Sequence, residues 1–113
     1  MMTPEELAAR IGIDESLDFE HSIAVIDTHF EYTPCAFRNG EQSNAAGENG
    51  GSCKILAFGR LLGLSEQQTL NCFGRFYRDV LATPDGTDHA NIRNFIRHGW
   101  SGVCFEGEPL KRI

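Results

Sequence analysis

The chain has no clustered lysine and arginine. Ten basic residues are scattered among sixteen acidic ones, giving a formal net charge of −6 over 113 residues. Phosphate backbones are held by concentrated positive charge, so nucleic acid is excluded as a partner, and an anionic membrane surface with it. There is no apolar run long enough to cross a bilayer. The opening Met1-Met2-Thr3-Pro4-Glu5-Glu6 is acidic and lacks the basic and apolar regions of a secretory signal. A soluble, cytoplasmic protein is expected. No C-x-x-C pair occurs among Cys35, Cys53, Cys72 and Cys104, whose irregular spacing matches no zinc framework. In a reducing compartment such cysteines serve mostly as small buried hydrophobes. The phosphate-cradling patterns G-x-x-x-x-G-K-[ST] and G-x-G-x-x-G are missing, and Glu41 and Glu48 would repel a polyphosphate. No internal repeat or low-complexity tract is present.

What remains is the material of one packed domain spanning residues 1–113. Hydrophobic residues make up 41% of the chain, and eight phenylalanines supply most of the bulk. Thr3-Pro4-Glu5-Glu6 reads as a capped helix start whose stripe of Leu7, Ala8 and Ile11 stops at Gly12. A second helix is expected from Asp18 to about Phe30. It buries Phe19, Ile23, Ile26 and Phe30, while Asp27 and His29 point elsewhere. Residues 31–38 read as an extended edge segment, because Pro34 bars the centre of a sheet. Ser52 is expected to cap a third helix with Ile55, Leu56, Phe58 and Leu62 inward and Gly63 as its stop. Ser65-Glu66-Gln67-Gln68 is a capping box with Leu64 as a staple. The helix it starts should carry Leu70, Phe73, Gly74, Tyr77, Val80 and Leu81 on one side and end before Pro84. After the turn Pro84-Asp85-Gly86, a fifth helix from Thr87 or Asp88 turns Ile92, Phe95 and Ile96 inward and closes at Gly99. Val103–Glu106 alternates as a last short strand. The predicted fold is α+β and mostly helical, with about five helices packed against a two-stranded β-ribbon made of residues 31–38 and 102–106.

Between the first extended segment and the third helix lies Asn39–Lys54, "NGEQSNAAGENGGSCK", with four glycines and no large apolar side chain. Sixteen residues of slack inside a small domain are uncommon unless they are functional or disordered. Two readings stand: a loop held together by its own side-chain hydrogen bonds, or a binding loop. In the second, Asn39, Glu41, Asn44, Glu48 and Asn49 would contact a ligand. Ser52 and Lys54 would join them at a helix N-terminus whose free N–H groups favour anions. A second candidate cluster is Asp88-His89-Ala90-Asn91-Ile92-Arg93. There Asp88 is expected to cap the fifth helix, and Asn91 and Arg93 to face a ligand. Two residues are candidates for catalysis. Cys53, in the first helical turn beside Lys54, is expected to have a lowered pKa, and His89 is a candidate general base that would pair with it. Spacing proposes no metal site, including one drawn from Glu41, Glu48, His89 and Glu106, and no cofactor is indicated.

Three stretches carry a resemblance: "YTPCAFRNGEQSNAAGENGGSCKILAF", "GLSEQQTLNCFGRFYRDVL" and "PDGTDHANIRNFIRHGWSGVCFEG". From about Ile23 to Gly107 the chain resembles the HopJ type III effector family. The resemblance implies a bacterial protein, cytoplasmic or delivered into host cells by a type III system, with a host or bacterial protein or a small molecule as partner. It carries no reaction, cofactor or catalytic residue. The expected function is a small-ligand or protein binding module built on residues 39–54. The alternative is a small intracellular enzyme using Cys53 and His89 or a carboxylate-held metal.

Overall fold

Thr3 starts the first helix as its sequence predicts, with Glu6 N–H donating to the Thr3 hydroxyl and Thr3 N–H to the Glu6 carboxylate, each at 3.1 Å. A computed structural model describes residues 2–113. Its helices are α1 (Pro4–Arg10), α2 (Phe19–His29), α3 (Gly50–Leu62), α4 (Glu66–Asn71), α5 (Arg75–Ala82) and α6 (Ala90–His98). Its strands are β1 (Phe30–Tyr32), β2 (Phe37–Asn39), β3 (Gln42–Asn44), β4 (Val103–Phe105) and β5 (Leu110–Arg112), with a 3-10 turn at Gly99–Gly102 leading into β4. The α+β class and its helical majority follow from this order.

α3 is the spine. Ile55, Leu56 and Phe58 are wholly buried, and Phe58 meets Phe30 edge to face at 5.8 Å. α2 contributes Val25 and Ile26, α4 Leu70, and α6 Phe95, which packs edge to face on Trp100 at 4.9 Å. Each fully buried side chain of this size contributes about 1.5–3 kcal/mol relative to an exposed one, so this cluster is the main driving force of the fold.

The predicted ribbon is half right. β2 pairs antiparallel with β4, placing Phe37 opposite Phe105, Arg38 opposite Cys104 and Asn39 opposite Val103. The other half of the first extended segment goes elsewhere: β1 pairs with β5, a strand the sequence reading missed in "LKR". β2 also turns back on β3, so the molecule holds a two-stranded sheet and a three-stranded one in the order β3-β2-β4. Pro34 sits between β1 and β2, where no ladder needs its missing N–H.

The predicted fourth helix is two. At Gly74 the backbone takes φ +58° and ψ −128°, breaking α4 from α5. The reason lies in Asp18, 57 residues before Arg75. The Asp18 carboxylate accepts from Arg75 N–H at 2.9 Å while capping α2 through Phe19 N–H at 2.7 Å. A Cβ on residue 74 would sit 2.1 Å from that carboxylate oxygen, so only glycine admits the approach. Leu81 and Ile96, expected inside, are 58% and 45% exposed, because α5 and α6 leave their mutual outer edge uncovered. Cys53 and Cys72 are buried as expected, whereas Cys35 is half-buried and Cys104 is exposed on the outward face of β4. Of the two residues expected to face away from the core, Asp27 takes an ion pair from Lys54 at 2.7 Å and His29 lies 3.1 Å from the Met2 carbonyl.

Candidate functional site

Residues 39–54 are not slack. Asn39 ends β2, Gly40 and Glu41 make the turn, and Gln42–Asn44 return as β3. Gly40 adopts φ +61°, and a Cβ there would strike the His98 ring at 2.3 Å, so the hairpin turn lies tight against α6. Glu41 N–H is held by the Asn94 side-chain oxygen at 2.9 Å, and its exposed carboxylate faces Arg97 at 3.8 Å. Glu48 closes the next turn by accepting from Ala45 N–H at 2.8 Å.

The asparagines form a buried network. Asn39 and Asn44 are 0% and 3% exposed on the hairpin, and Asn91 is 5% exposed on α6. Asn39 Nδ2 donates to the Asn91 carbonyl at 2.7 Å and to Asn91 Oδ1 at 3.1 Å. Asn44 Nδ2 reaches Asn91 Oδ1 at 3.2 Å, and Asn91 Nδ2 returns a bond to Asn44 Oδ1 at 3.0 Å. Asn49 Nδ2 adds a fourth member, donating to Asn44 Oδ1 at 2.7 Å. Each net bond contributes only about 1 kcal/mol, but an orphaned buried group costs about 1–3 kcal/mol, so the network specifies how the hairpin seats on α6. Within the network, Asn39 Oδ1 has no partner among the described residues. Four of the side chains expected to read a ligand, Asn39, Asn44, Asn49 and Asn91, are thus occupied in binding each other.

This network places two helix starts side by side. α3 begins at Gly50, two residues before the Ser52 cap expected from sequence, and its cap residue is Asn49 in the left-handed region at φ 49° and ψ 48°. α6 begins at Ala90, with His89 in the same conformation at φ 53° and ψ 49°. Asp88 is therefore not the cap. It faces Arg93, which holds it at 2.7 Å and keeps its carboxyl below the usual range. The Arg93 guanidinium also donates to the Thr83 carbonyl at 2.7 Å, clamping the turn between α5 and α6. In neither α3 nor α6 does a cap side chain accept from the first-turn N–H groups.

Both bare ends border one cavity of about 370 Å³. Asn49, Gly51 and Ser52 stand on the α3 side, and His89, Ala90 and Asn91 on the α6 side. Phe19, Phe73 and Phe76 supply apolar walls, of which the sequence reading placed Phe19 and Phe73 only on buried helix faces. Their three- and four-residue spacing does mark an inward face; that this face is left part-covered depends on how α2 meets α5 and cannot be read from spacing. The His89 ring lies 5.3 Å from Phe76, centroid to centroid, and its Nε2 is 3.7 Å from Asp88 and 3.9 Å from Asp79. Asn49, Ser52, His89 and Asn91 are thus brought together. Glu41, Glu48, Lys54, Asp88 and Arg93 are not among the residues bordering the cavity.

Cys53 is turned away. It is 1% exposed, and burial pushes its thiol up to about 11, against a weaker opposing hydrogen bond from the Tyr32 hydroxyl. The lowered pKa expected from the helix start is overturned, because desolvation of a thiolate outweighs the dipole of a helix end that faces the other way. With Cys53 sealed in the core and His89 at the cavity, they form no nucleophile pair. Lys54 is committed to Asp27 and lies 4.8 Å from the Tyr32 ring centroid. Among the described residues no group of three or more His, Cys, Asp or Glu converges to hold a metal ion, and no helix is long and apolar enough to cross a membrane.

The architecture is thus a small α+β protein with a helical body, two short antiparallel sheets and a hairpin tied down by asparagines. The chain belongs to the HopJ type III effector protein family, whose model matches residues 5–110. The match reaches further towards the N-terminus than the quoted sequence stretches do and takes in α1. The fold is similar to that of a solved structure described as "Crystal structure of unknown function protein VPA0580". It shares 49% identity with this chain at a TM-score of 0.88, covering 96% of this chain and 89% of the other. A search of curated proteins finds no match.

Proposed function

We propose that the protein is a binding module whose cavity between the starts of α3 and α6 takes a small organic anion, a carboxylate or phosphate group carried on an apolar body. The observation that carries the reading is the pairing of two uncapped helix N-termini on one aromatic-walled space. Unsatisfied N–H groups and the positive ends of two helix dipoles favour an anion there. Phe19, Phe73 and Phe76 favour an apolar body behind it. His89 and Ser52 add a ring and a hydroxyl at the rim.

Thermal unfolding with benzoate, benzamide, phosphate and nucleoside monophosphates tests this, since a ligand that binds only the folded state raises Tm by mass action. Benzoate or a phosphate monoester should raise Tm where neutral benzamide does not. The variant Ser52→Asp, which places a fixed carboxylate at the α3 start, should abolish that response. Equal responses to benzoate and benzamide, or none to any anion, would refute the reading.

Family membership also supports a second expectation, that the protein is passed into host cells by a type III apparatus. A translocation-reporter fusion checks it: a signal that depends on the secretion apparatus supports delivery, and retention inside the bacterium refutes it.

A further inference from the structure

On a different face of the molecule, a groove of about 500 Å³ runs between α3 and the C-terminal strand. Its floor is apolar, with Phe30, Leu61, Leu62, Phe105 and Leu110. It is touched by every residue from Gly107 to Arg112. Successive side chains of a strand leave on opposite faces, so a groove that meets Leu110, Lys111 and Arg112 alike follows the edge of β5 and not one of its faces.

The register identifies that edge. Thr33 N–H donates to the Pro109 carbonyl and Ile113 N–H to the His29 carbonyl. With Glu31 opposite Lys111, the odd-numbered positions of β5 exchange bonds with β1. Leu110 and Arg112 therefore point their backbone N–H and C=O groups outward, away from β1. The same reasoning applies across the groove. Gly40 N–H bonds to the Gly102 carbonyl and Glu106 N–H to the Ala36 carbonyl, so Val103 and Phe105 turn their backbone groups away from β2. The outward Val103 carbonyl is already taken by the Arg60 guanidinium at 3.1 Å and its N–H by the Trp100 carbonyl, so β4 keeps outward groups only at Phe105, whereas both outward positions of β5 are without a partner among the described residues.

Charge names the partner. In a chain of net charge −6, three of the ten basic residues (Arg60, Lys111 and Arg112) border this groove, against one carboxylate, Glu108; Arg112 is already paired with Glu5 at 2.6 Å, which leaves Arg60 and Lys111 to face a partner. We propose that the groove is a docking site for an extended, acidic peptide segment of another protein, which adds as a strand to the outer edge of β5 and sets alternate apolar side chains into the floor. The added strand satisfies the outward groups of Leu110 and Arg112, and its carboxylates face Lys111 and Arg60.

The test is selection of a random peptide library on the full chain, followed by affinity measurements on two variants. Arg112→Ala removes only the side chain. Arg112→Pro also removes the outward N–H while leaving the β1 ladder, which does not use it, intact. Selected peptides should be free of proline and rich in Asp or Glu interleaved with apolar residues. Their affinity should fall at least tenfold further for Arg112→Pro than for Arg112→Ala. On the unaltered protein, the same peptides should slow amide exchange at Leu110 and Arg112, a readout that stands if the proline variant fails to fold. The proposal is overturned if no peptide is enriched, if those enriched are basic or proline-rich, or if exchange at the two amides does not change. Self-association of the chain through β5, seen by sedimentation, or occupation of the groove by decanoate with no peptide enriched, would equally overturn it.

Discussion

The six helices divide by how they begin. α1, α2 and α4 carry full capping boxes: Thr3 with Glu6, Asp18 with His21, and Ser65 with Gln68. α5 is completed from outside by Asp18. α3 and α6 have neither arrangement; each starts from a non-glycine residue in the left-handed region, with no side chain on its free N–H groups. A capped start is a local matter that six residues of sequence can specify. A bare start tolerated in a folded protein instead points to what lies in front of it, and here both bare starts front the same cavity.

The sharpest way to break this contrast is to ask whether the field at the bare α3 start reaches inward. It does not reach Cys53 if burial governs that thiol. With its pKa near 11 and 1% exposure, Cys53 should alkylate at pH 8 at least 100-fold more slowly than exposed Cys104. Mass mapping of the first-labelled site checks this, and Cys53 labelling at a rate similar to Cys104 would restore it as a nucleophile.

The asparagine network that sets the two bare starts side by side should matter more to stability than any cap. Asn91→Ala leaves the Asn39 amide only the residue-91 carbonyl, removes both bonds between Asn44 and the residue-91 side chain, and should cost about 3 kcal/mol in denaturant unfolding. Asp18→Ala removes a cap from two helices at once and should cost about 2 kcal/mol. Its pH dependence has a definite sign. Hydrogen bonds from the Arg75 and Phe19 amides hold the folded Asp18 carboxyl below its usual value. Its stabilisation is therefore complete above the unfolded pKa of about 3.9 and is lost as pH falls through the lower folded value. The Asp18→Ala protein should show a shallower loss of stability on acidification below about pH 4, which a urea series across that range measures. Ser65→Ala, at a single local cap, should cost only about 1 kcal/mol. The smallest effect is Ser52→Asp, which should add about 0.5 kcal/mol of stability by placing negative charge in the first turn of α3 while removing anion binding. A fall in stability there would mean that the start of α3 is already satisfied.

What could be read from the sequence follows the same division. The boxes at Thr3 and Ser65 and the core positions Ile26, Ile55, Leu56, Phe58 and Phe95 were legible, because caps and helical periodicity are encoded within a few residues. β5 was missed, since "LKR" offers no alternation until Phe30 and Tyr32 stand opposite it. Residues 39–54 and 88–93 were singled out for their polar and glycine content, and Asn49, Ser52, His89 and Asn91 do meet at one cavity. Their composition did not reveal that most of the asparagines bond to each other. That depends on partners 47 and 52 residues apart in the chain. Asp88 was read as a cap from its position alone, but Arg93 competes for its carboxylate.

The carboxylate of Asp18 belongs to α2, yet it decides where α5 begins. Residues 66–82 on their own have the pattern of one uninterrupted helix, and Gly74 alone is a mild interruption at about 1 kcal/mol. The bend between α4 and α5 thus rests on a contact with the N-terminal part of the chain. A fragment lacking residues 1–18 should straighten there, and its near-continuous helix would carry Phe76 away from the cavity it now walls.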